Sequence, residues 1–178
     1  MNLDFYPVTK SRWDHFEQLL ESKGGPHNCW CMVWRTNENK KLLQGKLGKK
    51  ASMKRRVEEG VPVGLLAYLD ELPIAWCSIA PRKTYKPLGG DETKNGVWSL
   101  TCFFIKREFR NMGLASKLLD AAIQYAKENG ARYVEAYPVD PESPSYRFMG
   151  FKPMFENAGF QFVKKAGTRR NVMLIELI

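Results

Sequence analysis

The run Val97–Ile105 (VWSLTCFFI) constrains the fold more than any other segment. Nine residues without a charge, rich in aromatic and β-branched side chains, describe a strand covered on both faces. A short polar link, Lys106-Arg107-Glu108-Phe109, follows it. The clearest helical pattern comes next, over 110–129, with Leu114, Leu118, Ala121, Ala122, Tyr125 and Ala126 on one stripe and Gly130 as its stop. Tyr133 then opens another strand, read as 133–139. A strand–helix–strand unit of this kind requires a parallel pair with the helix packed on the sheet.

The remaining segments predict an otherwise antiparallel sheet. Leu3–Pro7 reads as an opening strand and 11–22 as a helix, with Trp13, Phe16, Leu19 and Leu20 on one face and Ser11 as N-cap. Gly24-Gly25-Pro26 breaks it. The aromatic segment 29–35 predicts a second helical region running through the basic stretch to Glu59. Segments 63–69 and 73–80, joined by Asp70-Glu71, form a hairpin, and 81–96 is a loop. A short helix over 152–157 and strands over 160–164 and 172–178 complete the order. The fold class is α/β: a mixed, mostly antiparallel sheet with helices on both faces and a central strand–helix–strand unit. One domain over 1–178 is expected, with about 97–160 as its core.

The formal charge of +9 directs attention to phosphate, on a nucleic acid or on a small ligand. Nine Lys or Arg lie between Arg35 and Arg56 against the single acid Glu38, a pattern that also describes a solvated surface. No helix-turn-helix, ribonucleoprotein or zinc-finger signature accompanies it, so nucleic acid is disfavoured. The opening MNLDFYPVTK lacks a signal-peptide run, and no stretch approaches the ~18 apolar residues of a membrane span. A cytoplasmic protein without a membrane partner is expected. Cys29, Cys31, Cys77 and Cys102 are then free thiols. His27, Cys29 and Cys31 form an H-x-C-x-C cluster, but the spacing suits zinc poorly and no second pair exists, so no metal is expected.

The join between strand and helix is a candidate anion site. The first amides of a helix lack internal acceptors, the helix dipole is positive there, and a glycine lets backbone approach a phosphate closely. These features coincide at Arg110-Asn111-Met112-Gly113-Leu114-Ala115-Ser116. The spacing R-x-x-G-x-A after the Val97–Ile105 strand, with Leu118-Leu119 beyond, resembles the acetyl-CoA motif of the GNAT acetyltransferases. Tyr133–Ala136 and Met154-Phe155-Glu156-Asn157-Ala158-Gly159-Phe160 are similar to the strand and the helix-to-strand ending that follow in that family.

The resemblance implies acetyl-CoA as co-substrate and direct transfer to an amine, by attack on the thioester through a tetrahedral intermediate. The strand amides of Phe103, Phe104 and Ile105 would hold the pantetheine and acetyl carbonyl, and those of Arg110, Asn111, Met112, Gly113, Leu114, Ala115 and Ser116 the pyrophosphate. No acetyl-enzyme is expected, and no histidine lies near Cys102 in sequence to activate it. The family's usual tyrosine acid falls on Phe155, which has no proton to give. Tyr146, Ser99 and Thr101, with Tyr137, are the replacements considered, and Glu135, read as a partly exposed strand carboxylate, is a further candidate base. On the acceptor side, about 1–96, Trp30 and Trp34 would share a helical face and form an aromatic wall with Trp76, while Arg35 and Arg82 would hold a carboxylate. The expected partner is a small-molecule amine. Acetylation of protein amines and a non-catalytic acetyl-CoA- or nucleic-acid-binding module are the alternatives, and a homodimer is left open.

Overall fold

The computed structural model describes residues 2–35 and 45–178. Seven strands form one sheet: β1 (Leu3–Pro7), β2 (Leu65–Leu69), β3 (Leu72–Pro81), β4 (Val97–Ile105), β5 (Tyr133–Ala136), β6 (Gln161–Ala166) and β7 (Arg170–Glu176). Their order is β1-β2-β3-β4-β5-β7-β6. Every neighbouring pair is antiparallel except β4 and β5, which run parallel. The helices are α1 (Trp13–Leu20), α2 (Gly45–Glu58), α3 (Leu114–Glu128) and α4 (Lys152–Asn157), and α3 is the crossover between β4 and β5. No helix among the described residues is long and apolar enough to cross a membrane.

Alternation along the strands divides the apolar side chains between two layers. On one face α3 buries Leu114, Leu118, Leu119, Ala122 and Ala126 over Ala67, Ile79, Leu100, Val134 and Met173. On the other, Trp13, Phe16, Leu19 and Leu20 of α1 and Met53 and Val57 of α2 pack over Leu66, Tyr68, Trp76 and Phe104. Helices therefore cover both faces.

One irregularity in β4 matters for the site. Ser78 pairs with Cys102 but the next residue, Ile79, pairs with Leu100, so Thr101 has no opposite number on β3. An extra residue shifts the side-chain alternation by one. Trp98 and Leu100 accordingly face α3, whereas two residues further on Cys102 and Phe104 face α1, and Phe103 and Ile105 take over the α3 side.

Several boundaries differ from the sequence expectation. The helix expected over 29–35 is absent: residues 27–34 form turns, with Trp30 at φ 49° and Cys31 at φ 50°. The part of that expectation falling on 36–44 lies outside the described residues. The helical pattern over 110–129 begins as a helix only at Leu114, because Gly113 is left-handed, and the strand expected over 133–139 ends at Ala136. Tyr137-Pro138 follows, and proline has no N–H with which to extend a ladder.

Candidate active site

The early end of β5 opens the sheet. β4 and β5 pair only from Val97↔Tyr133 to Leu100↔Ala136, yet β4 stays paired with β3 as far as Ile105. The second half of β4 therefore has a bare edge. The Lys106 N–H donates to the Ile74 carbonyl on the β3 side at 3.0 Å. Alternation then turns the N–H and C=O of Ile105 and Phe103 towards the opening, and those of Phe104, expected to share that role, towards Trp76 on β3. Consistent with this, the Ile105 carbonyl accepts from Arg110 Nε at 2.9 Å, reaching it from the far side. A cavity of about 930 Å³ begins at Phe103, Phe104 and Ile105 and includes Arg110, Cys31, Trp34 and Tyr146 in its walls. That volume suits a sizeable organic ligand.

The turn beyond β4 supplies a second backbone surface. Arg107–Phe109 make a 3₁₀ turn, Arg110 is extended, Asn111 is left-handed at φ 61°, and Gly113 is left-handed at φ 73°. Among the described residues, no backbone acceptor pairs with the amides of Asn111, Met112, Gly113, Leu114, Ala115 or Ser116, whereas the Arg110 N–H, expected to be one of this set, donates to the Arg107 carbonyl at 3.3 Å in the 3₁₀ turn. A Cβ added at Gly113 would meet nothing within 4 Å. Leu114 is buried and anchors α3, while Asn111, Met112, Gly113 and Ser116 are exposed and Ala115 is half-buried. Unpaired amides around a glycine at a helix start, with no side chain in the way, fit a phosphate group.

Of the proton-carrying candidates only Tyr146 reaches the cavity. It is left-handed at φ 59°, exposed, and its ring lies 5.9 Å from Trp34 and 6.3 Å from Phe148. Ser99, Thr101 and Tyr137 are buried and are not among the cavity walls. Ser99 Oγ lies 2.8 Å from Tyr137 Oη, and that hydroxyl donates to Glu135 Oε1 at 2.7 Å. Burial, then the Glu135 charge, hold the Tyr137 phenol well above its usual range. The expectation of a partly exposed Glu135 is corrected: it is fully enclosed, accepting from the Asp91 N–H at 3.2 Å and paired with Arg82 Nη1 at 3.4 Å. Phe155 is also enclosed, edge-on to Phe160 at 5.2 Å and to Phe103 at 6.2 Å.

The acceptor-side expectations need more correction. Trp30 and Trp34 share no helical face. Trp30 is fully buried, stacked on Trp13 at 5.6 Å, and Trp76 is fully buried against Phe16 at 5.2 Å. Both belong to the core under α1, and only Trp34 forms part of the cavity wall. Arg35 is completely buried, its Nη2 donating to Ser78 Oγ at 2.8 Å and to the Val63 carbonyl at 3.1 Å, with its guanidinium over the Tyr85 ring. Arg82 donates to the carbonyls of Asp91 and Lys94, both at 2.8 Å, and so ties down the 82–96 loop. Neither arginine lines the cavity. The cations that do are Arg110 and Arg147, while Arg170 stacks on Trp34 from 5.2 Å. Arg147 and Phe148 carry no sequence signal because they sit in a three-residue 3₁₀ turn, Arg147–Met149, too short to show a period. Among the described residues no group of three His, Cys, Asp or Glu could hold a metal ion.

The model of the acetyltransferase (GNAT) family matches residues 28–151, most of the chain, including the β4 edge and the 110–116 turn. The chain belongs to that family. Solved GNAT-fold structures agree in architecture. The PaiA N-acetyltransferase from Thermoplasma acidophilum, in complex with coenzyme A, superposes with a TM-score of 0.61 at 12% identity, covering 99% of this chain and 100% of that one. YncA from Salmonella typhimurium, solved with acetyl-CoA, gives 0.59 at 13% identity over 100% and 95%. An acetyltransferase from Thermus thermophilus gives 0.58 at 18% identity over 99% and 98%. At these identities the likeness concerns the fold. No curated protein matches the chain. Acetyl-CoA is the co-substrate of GNAT enzymes, and membership of the family implies acyl transfer.

Proposed function

We propose that this GNAT chain is an N-acetyltransferase that moves the acetyl group of acetyl-CoA directly to a primary amine of a small molecule. The observation that carries the reading is the bare edge of β4 leading into the unpaired amides of 111–116. Bound acetyl-CoA supplies an activated thioester carbonyl. The chain contributes binding, orientation and proton handling around it. Amides of Asn111 to Ser116 hold the phosphates, helped by the α3 dipole and by Arg110 at the rim. Phe103 and Ile105 offer backbone donors and acceptors to the amide-bearing arm, and a strand N–H on that edge would polarise the thioester carbonyl. Tyr146 is the phenol at the cavity able to give or relay a proton at its Oη, in place of the hydroxyl that Phe155 lacks.

The acceptor side supports a small molecule. Trp34, Tyr146 and Phe148 give the cavity an aromatic wall, and Arg110 and Arg147 oppose the approach of a lysine-rich peptide. We read residues 1–178 as one domain, with about 1–96 on the acceptor side and about 97–160 on the acetyl-CoA side, and the protein as cytoplasmic.

Calorimetry with acetyl-CoA, followed by a free-thiol release assay over amino acids, polyamines, aminoglycosides and peptides, tests the reading. Binding at a hundredfold excess over Kd should add about 2.7 kcal/mol of stability, and a small amine should give the highest kcat/KM. An unchanged melting temperature without binding heat refutes the acetyl-CoA site. Preference for peptides refutes the acceptor class alone.

A further inference from the structure

The GNAT reading gives no role to the thiols at the cavity. Cys31 Sγ and Cys102 Sγ lie 3.4 Å apart, in contact across 71 residues of sequence. Both contribute to the cavity wall, as does Cys29. Cys102 sits on β4 immediately before Phe103, at the point where the shifted alternation turns it towards α1. Cys31 reaches it from the 27–34 turns, on a backbone where Trp30 and Cys31 are both left-handed. Two consecutive non-glycine residues in that region are costly and persist only where surrounding packing imposes them. The packing is visible: Trp30 is locked between Trp13 and Phe16, which fixes the neighbouring Cys31.

We propose that Cys31 and Cys102 are an oxidation site, which a hydroperoxide converts into a disulfide that fastens the 27–34 segment to β4 at the cavity wall. A disulfide bond is ~2.05 Å long, so the sulfurs must close by little more than ~1 Å. Cys31 is the more exposed of the two and reacts first. Its thiolate attacks the peroxide oxygen, the O–O bond breaks, and water or an alcohol departs, leaving a sulfenic acid. The Cys102 thiolate then attacks that sulfur, the S–O bond breaks, and the oxygen leaves as water. Two thiol hydrogens are lost, two sulfurs are oxidised and one hydroperoxide is reduced. The bond with Cys102, followed by burial, keeps the Cys31 thiol protonated at neutral pH, although Cys29 opposes this. The thiolate is the attacking species, so oxidation should accelerate as pH rises. Joining the pair draws the turn segment onto β4 beside Phe103 and restricts the acceptor side, a consequence that rests on the acyl-transfer reading.

The test treats the full chain with hydrogen peroxide, alkylates remaining thiols and maps peptides without reduction. The expected product is a Cys31–Cys102 cross-link, an intact mass lower by ~2 Da before alkylation, a raised melting temperature, and full reversal by dithiothreitol. Cys31→Ser and Cys102→Ser should each abolish the cross-link, while Cys77→Ser, altered at a buried thiol absent from the cavity wall, should retain it. Sulfinic acid at Cys31, a Cys29–Cys31 bond, or four thiols still free after treatment overturns the proposal, and the map of the parent chain decides this even if a variant fails to fold. Acetyl-CoA-dependent thiol release, compared for each protein with its own reduced form, should fall severalfold only where the cross-link forms. An unchanged rate in cross-linked protein overturns the restriction of the acceptor side. Loss of acetyl-CoA binding by the reduced protein instead refutes the acyl-transfer reading.

Discussion

Gly113→Val separates the backbone requirement at the turn from its phosphate contacts. Gly113 has φ 73° and ψ 9°, and a Cβ there would meet nothing within 4 Å. The free protein thus suffers no clash, only the conformational penalty of an L-residue in the left-handed region, about 1–2 kcal/mol and more for a branched side chain. A stiffer unfolded chain returns about 0.4–1 kcal/mol of that. The net loss is about 1 kcal/mol, a fall in melting temperature of roughly 2–4 °C for a chain of this size. Acetyl-CoA affinity should suffer more. The branched Cβ occupies the open space over the unpaired amides, and losing even one charge-assisted hydrogen bond costs about 1.5–3 kcal/mol, which exceeds the ~1.4 kcal/mol of a tenfold change. Arg110→Ala should do less: the guanidinium is exposed, where charge contributes about 0–1 kcal/mol, and the amides remain. Calorimetric Kd values for both variants, with circular dichroism confirming the fold, make the comparison. If Gly113→Val binds acetyl-CoA as tightly as the parent, the phosphates are held elsewhere and the site assignment fails.

Trp34→Ala should raise the acceptor KM about tenfold or more while leaving acetyl-CoA affinity within about twofold, since it removes a wall of the cavity and leaves β4 intact; an unchanged KM would remove Trp34 from the acceptor site. Trp30→Ala should instead cost about 3–5 kcal/mol of stability through a core cavity between α1 and the sheet, read as a large drop in melting temperature. Glu135→Gln keeps the volume but weakens the contacts to Tyr137 and Arg82, at about 1–3 kcal/mol of stability, with kcat within about threefold of the parent. A kcat loss above tenfold in a folded Glu135→Gln protein would show this enclosed carboxylate to be the base.

The sequence carried the middle of the molecule well and its acceptor side poorly, for physical reasons that differ by segment. The bounds of β4 and α4 were readable because each coincides with an abrupt change in local chemistry: an apolar run against charged flanks, and a helix with Pro153 in its first turn and a glycine after it. The 27–34 segment was misread because Trp30 and Trp34 stand four apart, a helical spacing, while their conformations are set from outside. Trp30 follows Trp13 of α1, and Trp34 follows Arg170 and Tyr146 from the other end of the chain. Arg35 and Arg82 were misplaced for a related reason. Ser78, the partner of Arg35, lies 43 residues away, and Glu135, the charged partner of Arg82, 53 away, distances over which a lone sequence does not pair residues; the nearer partners of Arg82 are loop carbonyls, which leave no mark in the sequence.

The shift at Thr101 exposes a deeper limit. Where a strand has one wet face, an inserted residue shows as a break in polar–apolar alternation. β4 is buried on both faces, so moving Cys102 from one layer to the other leaves no trace in the pattern. The same double burial explains what kind of site β4 can build. Most of its side chains are committed to two cores, so what it chiefly presents to a ligand is its edge, bared where β5 stops at Ala136 before Tyr137-Pro138. A site built from a strand edge and a helix start is legible in sequence as a location, through the apolar run, the glycine and the following stripe. Trp34, Tyr146 and Arg147, which line the cavity beside it, are brought together only by the finished fold, and no local pattern in the sequence joins them.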